Sequence, residues 1–331
     1  MKQIYLLYCN DMKELANCIA GRINSITLCP IEWKRLPDGY PDLFLPWIGG
    51  LHGEHVAFLA SFSSPAVIME QLSVIYEVPR RFVASFTLVL PYFPTWTSER
   101  REEEGDIAPS FTLTRMLSNI PLSHGGPASL VTFDIHAMQE RFYFGDAVLP
   151  CFMSGLPQLK NRLRKLPDAH NVTIAFPDEG AWTRLHKQFK DHDKFPTIVC
   201  TKRRGPFGTN CIVQLKEGDP IGRHVVIVDD LVQSGSTLIE CRKMLAMRGA
   251  ARVSAYATHG VFQNMLWVRF NYDNNLGPAH GFAHVWITDS CPKAVEEVSG
   301  VPPFEILSLA APILEALYIS GTNYSKYAPI V

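Results

Sequence analysis

Long apolar runs are absent from this sequence of 331 residues. Its most apolar stretches are interrupted by proline, aspartate or arginine, whereas a helix that spans a bilayer needs about 20 consecutive apolar residues. The apolar run within residues 1–10 is also too short for a signal peptide, and charged residues follow it at once, so we expect a first β-strand there. These absences predict a soluble, intracellular protein, which we place in the cytoplasm without a membrane partner.

An excess of either charge is absent as well. The 31 lysines and arginines nearly balance the 32 aspartates and glutamates, which leaves a formal net charge of −1. Proteins that bind nucleic acid through its phosphate backbone usually carry a basic surface. The balance therefore predicts no nucleic-acid partner, and any site for an anion has to be local.

Cysteines paired at short spacings, which mark zinc sites and disulfide frameworks, are also missing. The eight cysteines are scattered along the chain, so we expect reduced thiols with mostly structural roles. The sequence also has no close internal repeat and no low-complexity segment. The cysteines are Cys9, Cys18, Cys29, Cys151, Cys200, Cys211, Cys241 and Cys291.

What the sequence does contain is an alternation of short apolar runs with amphipathic segments. Runs this continuously apolar are usually strands buried on both faces of a parallel sheet, and helices between them indicate an α/β fold. A chain of this length with 47% hydrophobic residues is expected to form two domains of similar size. The predicted strands are 55–62, 86–91, 129–136, 172–176, 197–201, 224–229, 253–258 and 284–288, and the predicted helices are 65–78, 110–119, 156–166, 182–190, 236–247 and 310–318.

Two of the predicted strands end in acidic residues. One closes with Asp134 and His136, and the other closes with the adjacent Asp229 and Asp230. Ligands of open α/β sheets bind at the carboxyl ends of the strands. Both strand ends are therefore candidate sites, one in each half of the chain.

The segment after the second acidic pair is the most specific motif. A run of small and hydroxyl residues opens a predicted helix, where backbone N–H groups, hydroxyls and the helix dipole favour a monophosphate. The two aspartates would then take hydroxyls of the same molecule, directly or through a divalent cation. The alternative is an ordinary N-cap after a strand, which requires no pair of acids. The loop consists of Ser234, Gly235, Ser236 and Thr237.

Several further blocks accompany this loop: Phe62–Ala66, Thr97–Arg100, Phe133–Ala137, Phe176–Trp182 and Thr258–Phe262. The loop resembles that of the type I phosphoribosyltransferase fold. With the blocks, the resemblance extends over nearly the whole chain to the phosphoribosyl diphosphate synthetases, in particular to their plant-type branch. It implies two tandem phosphoribosyltransferase-like α/β domains, each a mainly parallel sheet flanked by helices. Their expected bounds are residues 1–150, with 309–331 packing back on them, and residues 151–308.

The resemblance also implies an activity, that of a ribose-phosphate diphosphokinase. Such an enzyme transfers the diphosphate of ATP, or of another nucleoside triphosphate, to the C1 hydroxyl of ribose 5-phosphate, with Mg²⁺ as the cofactor. On this resemblance Asp229, Asp230 and the loop Ser234–Thr237 would bind ribose 5-phosphate.

The remaining roles follow from the same resemblance. Lys202 and Arg204 match the lysine and arginine of the family's lid and would be catalytic, because their charges neutralise the oxygens of the transferring group. Asp134, His136 and Asp178 would contact the metal.

The nucleotide site rests on Asp38, Trp96 and Arg100. In the family, nucleotide sites are built across subunit contacts, so the resemblance implies a homo-oligomer.

Three other functions share parts of this pattern. A phosphoribosyltransferase would use the loop but would not require Asp134, His136 or the lid. A non-catalytic regulatory homologue predicts damaged sites, whereas Lys202 and Arg204 are both present. A nucleic-acid regulator built on the fold needs a basic face or an added module, and the sequence shows neither.

Overall fold

The computed structural model describes residues 2–94, 104–105, 107–136, 143–189, 195–204, 211–270 and 281–319, except for the side chains of residues 203, 204 and 211. The strands are β1 (Ile4–Tyr8), β2 (Ile26–Pro30), β3 (Glu32–Arg35), β4 (Pro41–Phe44), β5 (His55–Leu59), β6 (Ser85–Val89), β7 (Ala128–Phe133), β8 (Val148–Met153), β9 (Val172–Phe176), β10 (Thr197–Arg204), β11 (Cys211–Glu217), β12 (His224–Val232), β13 (Arg252–Gly260), β14 (Val285–Thr288) and β15 (Phe304–Leu307). The helices are α1 (Lys13–Ala20), α2 (Pro65–Glu77), α3 (Pro109–Leu117), α4 (Leu156–Leu163), α5 (Glu179–Leu185), α6 (Ser236–Met247), α7 (Pro292–Val298) and α8 (Ala310–Ile319).

Contacts within the chain divide the structure into two units. Unit 1 runs to Ser154 and also contains α8, and unit 2 is Gly155–Ser308. The division falls between β8 and α4, where a Cβ added to Gly155 would lie 2.8 Å from the Tyr256 hydroxyl. A glycine is therefore needed at the point where the chain enters unit 2.

Unit 1 is built on a six-stranded sheet with the order β2-β1-β5-β6-β7-β8, in which all neighbours pair in parallel. Every residue of β7 is buried. Helices α1 and α8 contact each other, and the hydroxyls of Ser25 and Tyr318 lie 2.5 Å apart. The helix that follows unit 2 in the chain is thus part of unit 1.

Strand β8 was not predicted, and it includes the position where the sequence placed the domain boundary. It contains Pro150, which is uncommon inside strands. Because β8 is the edge strand of its sheet, the missing N–H of proline is tolerated there. The other elements that the sequence did not predict are short or partly exposed, so they lack a continuous apolar signal: β2, β3, β4, β11, β15, α1 and α7.

Unit 2 is built on a seven-stranded sheet with the order β11-β10-β9-β12-β13-β14-β15. All neighbours pair in parallel except β10 and β11, which form an antiparallel hairpin. Along β12, Val225 and Ile227 point into one core, whereas Val226 and Val228 point into the other. Helix-covered faces on both sides explain the continuous apolar runs, and the predicted α/β fold with mainly parallel sheets is confirmed.

Two strands of unit 2 extend further than predicted. β10 continues to Arg204, because β11 pairs with it as far as Cys211. β12 continues to Val232, with Asp229 opposite Ala257 on β13. The two adjacent aspartates therefore lie inside the last part of β12 and not after its end.

No helix in the described residues combines the length and the apolar character that crossing a bilayer requires. Seven cysteines have described side chains, and all of them are free thiols. The sulfur atoms of Cys200 and Cys241 lie 3.8 Å apart in the core of unit 2, well beyond the S–S bond length of about 2.0 Å.

Candidate active site

The loop between β12 and α6 is shaped by Gly235. Its φ of +71° lies in the left-handed region, which glycine adopts without strain. A Cβ at this position would lie 2.4 Å from two ring carbons of Phe270, so no larger residue fits. Gly235 is also the N-cap of α6 and has no side chain to cap the first turn. The Ser236 N–H donates to Ser234 Oγ over 3.4 Å, and the other N–H groups of that turn can meet an anion.

Hydroxyl groups and two cations surround these N–H groups. Ser234 Oγ donates to Ser236 Oγ over 3.1 Å and lies 3.4 Å from Ser236 N. Lys202 Nζ, on β10, donates to Thr237 Oγ1 over 3.1 Å. Arg269 Nη1 donates to Ser234 O over 2.6 Å and to Ser236 Oγ over 3.0 Å. The loop thus presents its hydroxyls between cations that come from two different elements.

Asp229 and Asp230 lie directly before the loop and share one arginine. Arg184 Nη2, on α5, is 2.6 Å from Asp230 Oδ1 and 3.5 Å from Asp229 Oδ1. The side chain of Asp230 is 1% exposed, whereas that of Asp229 is 15% exposed. Asp230 is therefore the buried partner of Arg184, and Asp229 is the carboxylate that solvent and ligands can reach.

One arginine does not neutralise this group of carboxylates. Burial raises the pKa of Asp229 well above its usual value, and repulsion by Asp230 and Asp178 adds to the increase, whereas Arg184 opposes it. Burial also disfavours the charged form of Arg184, but attraction by Asp230 and Asp229 outweighs that effect and raises the pKa of its guanidinium. An excess of negative charge of this kind favours a bound cation or a donated hydrogen bond.

Asp178 lies at the carboxyl end of the neighbouring strand β9. Its Oδ1 accepts a hydrogen bond from Ala181 N over 2.8 Å, so Asp178 caps α5. A Cβ added to Gly180 would lie 3.0 Å from Arg184 Nη1 and 3.1 Å from Asp178 Oδ1. The glycine therefore keeps open the space between the carboxylate and the guanidinium. The predicted helix 182–190 in fact begins at Glu179 because this aspartate supplies the cap.

In unit 1, Asp134 follows β7 directly. Its φ of +34° is uncommon for a residue with a side chain, although aspartate tolerates positive φ better than most. The buried side chain accepts a hydrogen bond from the Ser154 hydroxyl over 2.6 Å. His136 follows two residues later and is half-buried. The roles predicted for Asp134 and His136 at this strand end stay predictions.

Four other predicted residues are placed less completely. Asp38 lies in the exposed turn between β3 and β4, where its Oδ1 accepts from Tyr40 N over 3.2 Å. Trp96 and Arg100 lie outside the described residues, and so does the side chain of Arg204. The roles assigned to these four residues stay predictions.

A divalent metal fits the carboxylates of unit 2, although no three His, Cys, Asp or Glu side chains of the described residues form a metal-binding group. Mg²⁺ usually keeps several waters and takes one or two carboxylates together with phosphate oxygens. Asp178 and Asp229 can supply such ligands, because Asp178 is near enough to raise the pKa of Asp229 and their joint charge is only partly neutralised.

Two residues of the site, Arg184 and Arg269, were missed by the sequence analysis. Arg184 lies three residues after the buried Ala181 on α5, so a charged residue on the buried face of a helix was the available signal. Arg269 comes from the segment after β13 and lacks any such pattern. Only the fold brings it to the loop.

Part of the chain matches a known protein family. A family model described as the phosphoribosyl transferase domain matches residues 146–265. This range contains β8 to β13, with the paired aspartates and the loop. The match therefore falls on the segment that forms the site in unit 2.

Curated relatives align along almost the whole chain. The chloroplastic ribose-phosphate pyrophosphokinase 3 of Oryza sativa subsp. japonica is 61% identical over 318 residues, which cover 96% of this chain and 76% of that protein. The mitochondrial ribose-phosphate pyrophosphokinase 3 of Spinacia oleracea is also 61% identical and covers 96% and 77%. Ribose-phosphate pyrophosphokinase 4 of Oryza sativa subsp. japonica is 58% identical and covers 96% of both chains.

A solved structure shows the same architecture. The phosphoribosylpyrophosphate synthetase of Mycobacterium smegmatis superposes with a TM-score of 0.80 over 97% of this chain and 99% of that chain, at 20% identity. The fold is thus that of tandem phosphoribosyltransferase-like domains. The identities above go further, and the chain belongs to the ribose-phosphate pyrophosphokinase family. The family and the enzyme class predicted from the sequence are confirmed.

Proposed function

We propose that the chain makes phosphoribosyl diphosphate by transferring the diphosphate of ATP, or of another nucleoside triphosphate, to the C1 hydroxyl of ribose 5-phosphate. The names of its relatives support this activity. The structural observation that carries it is the loop of unit 2, where paired aspartates precede an open helix N-terminus with Lys202 and Arg269 beside it.

The sugar phosphate binds to this loop. Its 5-phosphate accepts hydrogen bonds from the N–H groups and hydroxyls of Ser234–Thr237, where the dipole of α6 favours an anion. Asp229 accepts hydrogen bonds from the ribose hydroxyls, whereas Asp230, which the sequence predicted for the same role, is only 1% exposed and supports the site as the buried partner of Arg184. Arg184 holds Asp230 in place through the contact of 2.6 Å. The loop thereby fixes the sugar with C1 accessible for the transfer.

The transfer needs orientation and charge, and it needs no covalent intermediate with the protein. The C1 oxygen forms a bond to the β-phosphorus, the bond from that phosphorus to the bridging oxygen of AMP breaks, and the hydroxyl proton is released. Lys202 and Arg204 stabilise the charge on the transferring group and on the departing AMP. The contact of Lys202 with Thr237 supports this role because it places the ammonium group beside the sugar-phosphate loop.

The metal in this proposal is Mg²⁺, with Asp178 as a ligand near the diphosphate and Asp134 and His136 as ligands near the nucleotide. Bound Mg²⁺ neutralises phosphate oxygens and makes the phosphorus more electrophilic. Asp38, Trp96 and Arg100 bind the nucleotide.

The two domains divide these tasks. Residues 1–150 with 309–331 form the nucleotide domain, and residues 151–308 form the sugar-phosphate domain. We also propose a homo-oligomer, because the hairpin β3–β4 and the residues after it display large apolar side chains that a subunit contact would bury. These are Leu36, Tyr40, Phe44 and Trp47, which are 46%, 68%, 58% and 56% exposed.

The cytoplasm is our proposed compartment. Pyrophosphokinases 3 among the relatives carry chloroplastic or mitochondrial in their names, whereas the names of pyrophosphokinases 4 carry no compartment. A fluorescent fusion of the full-length protein, imaged in plant cells, tests this localisation.

The experiment for the activity measures AMP and phosphoribosyl diphosphate with Mg²⁺, ATP and ribose 5-phosphate. The wild type should form AMP only when the sugar is present. Lys202→Ala should lose about 10²–10³-fold in kcat, because one preorganised cation is removed from the transition state. Lys243→Ala removes a lysine from the exposed face of α6 and serves as the matched control, with kcat unchanged.

Two results would contradict the proposal. Wild-type protein that is silent with every nucleoside triphosphate would favour the non-catalytic regulatory homologue. A wild type that consumes phosphoribosyl diphosphate with a free base, and does not make it, would favour a phosphoribosyltransferase.

A further inference from the structure

Arg269 contacts the sugar-phosphate loop, but the function proposed above assigns it no ligand. It lies in a short 3₁₀ helix, Leu266–Phe270, that follows β13. Its Nη1 donates to Ser234 O and to Ser236 Oγ. One nitrogen therefore contacts the residues before and after Gly235. The guanidinium is thus fixed at the rim of the proposed phosphate site by two hydrogen bonds.

The next residue, Phe270, anchors this arginine. Its ring is fully buried and lies against Gly235. The ring centroid is 5.5 Å from that of Phe282 and 5.8 Å from those of Phe262 and Phe304. Because Phe270 cannot move without disturbing this aromatic cluster, the backbone of Arg269 is held beside the loop. Packing in the core therefore fixes the position of Arg269 beside the loop.

The hydrogen bonds also leave donors for a ligand. Ser236 Oγ accepts from both Ser234 Oγ and Arg269 Nη1, so its own proton must point elsewhere. Arg269 is exposed, and within the described part of the chain its Nε and Nη2 have no hydrogen-bond partner. Unused donors of the guanidinium and of a hydroxyl therefore lie beside the open N–H groups of α6.

The charges around the loop also favour a bound phosphate. Asp229 and Asp230 interact with Arg184, so Arg269 is not neutralised by these carboxylates. A sugar 5-phosphate carries close to two negative charges at neutral pH, and a guanidinium binds such a group with two parallel hydrogen bonds. Lys202 stands at Thr237 and Arg269 at Ser234 and Ser236, so the loop carries a cation at each end.

We propose that Arg269 binds the 5-phosphate of ribose 5-phosphate and makes the enzyme selective for a phosphorylated sugar. This inference rests on the proposed function, because it takes ribose 5-phosphate as the ligand of the loop. On binding, the guanidinium exchanges its contact with Ser236 Oγ for the phosphate oxygens. The Ser236 hydroxyl, whose own proton is not used in these contacts, donates to the same phosphate.

The test compares Arg269→Met, Arg269→Lys and Arg248→Met with the wild type. Arg248 is an exposed arginine at the opposite end of α6, so its substitution removes the same charge from the same unit. In Arg269→Met the KM for ribose 5-phosphate should rise about 10- to 100-fold, as expected for a lost hydrogen-bonded charge. The kcat at saturating sugar and the KM for ATP should stay within about twofold, because that binding energy is lost equally from the ground state and the transition state.

A second measurement avoids turnover. Calorimetric titration with ribose 5-phosphate, without nucleotide, should show weaker binding to Arg269→Met, intermediate binding to Arg269→Lys and unchanged binding to Arg248→Met. Lysine keeps the charge but lacks the forked geometry, so it restores only part of the affinity.

An equal loss in Arg248→Met would overturn the inference, because only the net charge would then matter. A fall in kcat without a change in KM would overturn it as well. If the wild type is active and the KM of Arg269→Met for ribose 5-phosphate is unchanged, this inference alone is wrong. If the wild type does not use ribose 5-phosphate at all, the proposed function is wrong too.

Discussion

The two ends of β12 both carry buried ionisable groups, but they balance their charges differently. At the amino end, His224 Nδ1 is 2.9 Å from Asp168 Oδ2, and His224 Nε2 is 2.8 Å from Ser254 Oγ. Arg252 Nη1 lies 3.3 Å from the same aspartate oxygen. We call these four residues the amino-end cluster. At the carboxyl end, Asp229 and its neighbours remain only partly neutralised.

The pKa shifts show the same difference. Burial lowers the pKa of His224, and attraction by Asp168 opposes this shift. Burial disfavours the charge of Asp168, but attraction by His224 and Arg252 outweighs it and the pKa of Asp168 is lowered. In the amino-end cluster, neighbouring groups thus stabilise the buried carboxylate charge of Asp168. At the carboxyl end burial raises the pKa of Asp229 instead, and repulsion by Asp230 and Asp178 adds to the increase.

The amino-end cluster also has the connectivity of a catalytic Ser-His-Asp triad. Ser254, however, is fully buried in β13, opposite Val226 of β12. No substrate can reach its hydroxyl, so the cluster stabilises the fold. Hydrogen-bond connectivity alone therefore does not define a site, whereas exposure combined with incompletely balanced charge indicates one.

Asp229→Asn should give the largest effect and the clearest contrast between the two ends. We expect kcat/KM for ribose 5-phosphate to fall about 10²–10³-fold, since a charged group that touches the substrate is lost. The melting temperature should stay the same or rise, because repulsion from Asp230 and Asp178 is relieved. Initial rates and thermal unfolding measure the two quantities. A variant that keeps its rate but unfolds more easily would make the carboxyl end a structural cluster.

Arg184→Met should give the next largest effect, and it depends on pH. Arg184 lowers the pKa of Asp229, so its removal raises that pKa further and Asp229 ionises only at higher pH. The acid limb of the pH–rate profile should therefore move to higher pH, and the rate at pH 7 should fall about 10- to 100-fold. Arg184→Lys should restore the position of the limb in part. If the maximum rate of Arg184→Met falls but the acid limb of its pH–rate profile stays at the same pH, Arg184 does not control the ionisation of Asp229.

Asp168→Asn should give the smallest effect on activity, with kcat/KM within about twofold of the wild type. The free energy of unfolding should fall by about 1–2 kcal/mol at pH 7, because a hydrogen-bonded charge is lost. The pKa of Asp168 is lowered in the folded state, so this contribution is present above its unfolded pKa and disappears as the pH falls through the folded value. Denaturant titrations at pH 7 and at low pH should therefore differ.

Ser254→Ala is the matched control within the amino-end cluster, and it should retain full turnover. Loss of activity in this variant, with the fold intact, would make the amino end a second functional site.

The sequence predicted best the elements that are buried on both faces or clearly delimited. The bounds of β9 and α6 agree with their predictions, because β9 is apolar throughout and α6 starts at a glycine and hydroxyl turn. Half-exposed strands such as β8 and β11 were not predicted, since residues that face water interrupt their apolar pattern. Tertiary pairing with a neighbouring strand, and not local preference, forms those strands.

The candidate site was also predicted only in part from the sequence. Asp229, Asp230 and the loop are contiguous in sequence, so their chemistry was readable from one segment. Arg184 and Arg269 approach from other elements, and a single sequence contains no distance information that joins them to the loop. The roles of Lys202 and Arg204 came from the family resemblance alone and stay predictions.

The contact between Gly235 and Phe270 limits how this protein can diverge. A side chain at position 235 would meet the aromatic ring at 2.4 Å, and the positive φ of Gly235 adds a second penalty. A smaller residue at position 270 would make room, but it would also release the segment that holds Arg269. Single substitutions at either position should therefore be eliminated during evolution, and we expect the pair to be inherited together in descendants that keep the activity.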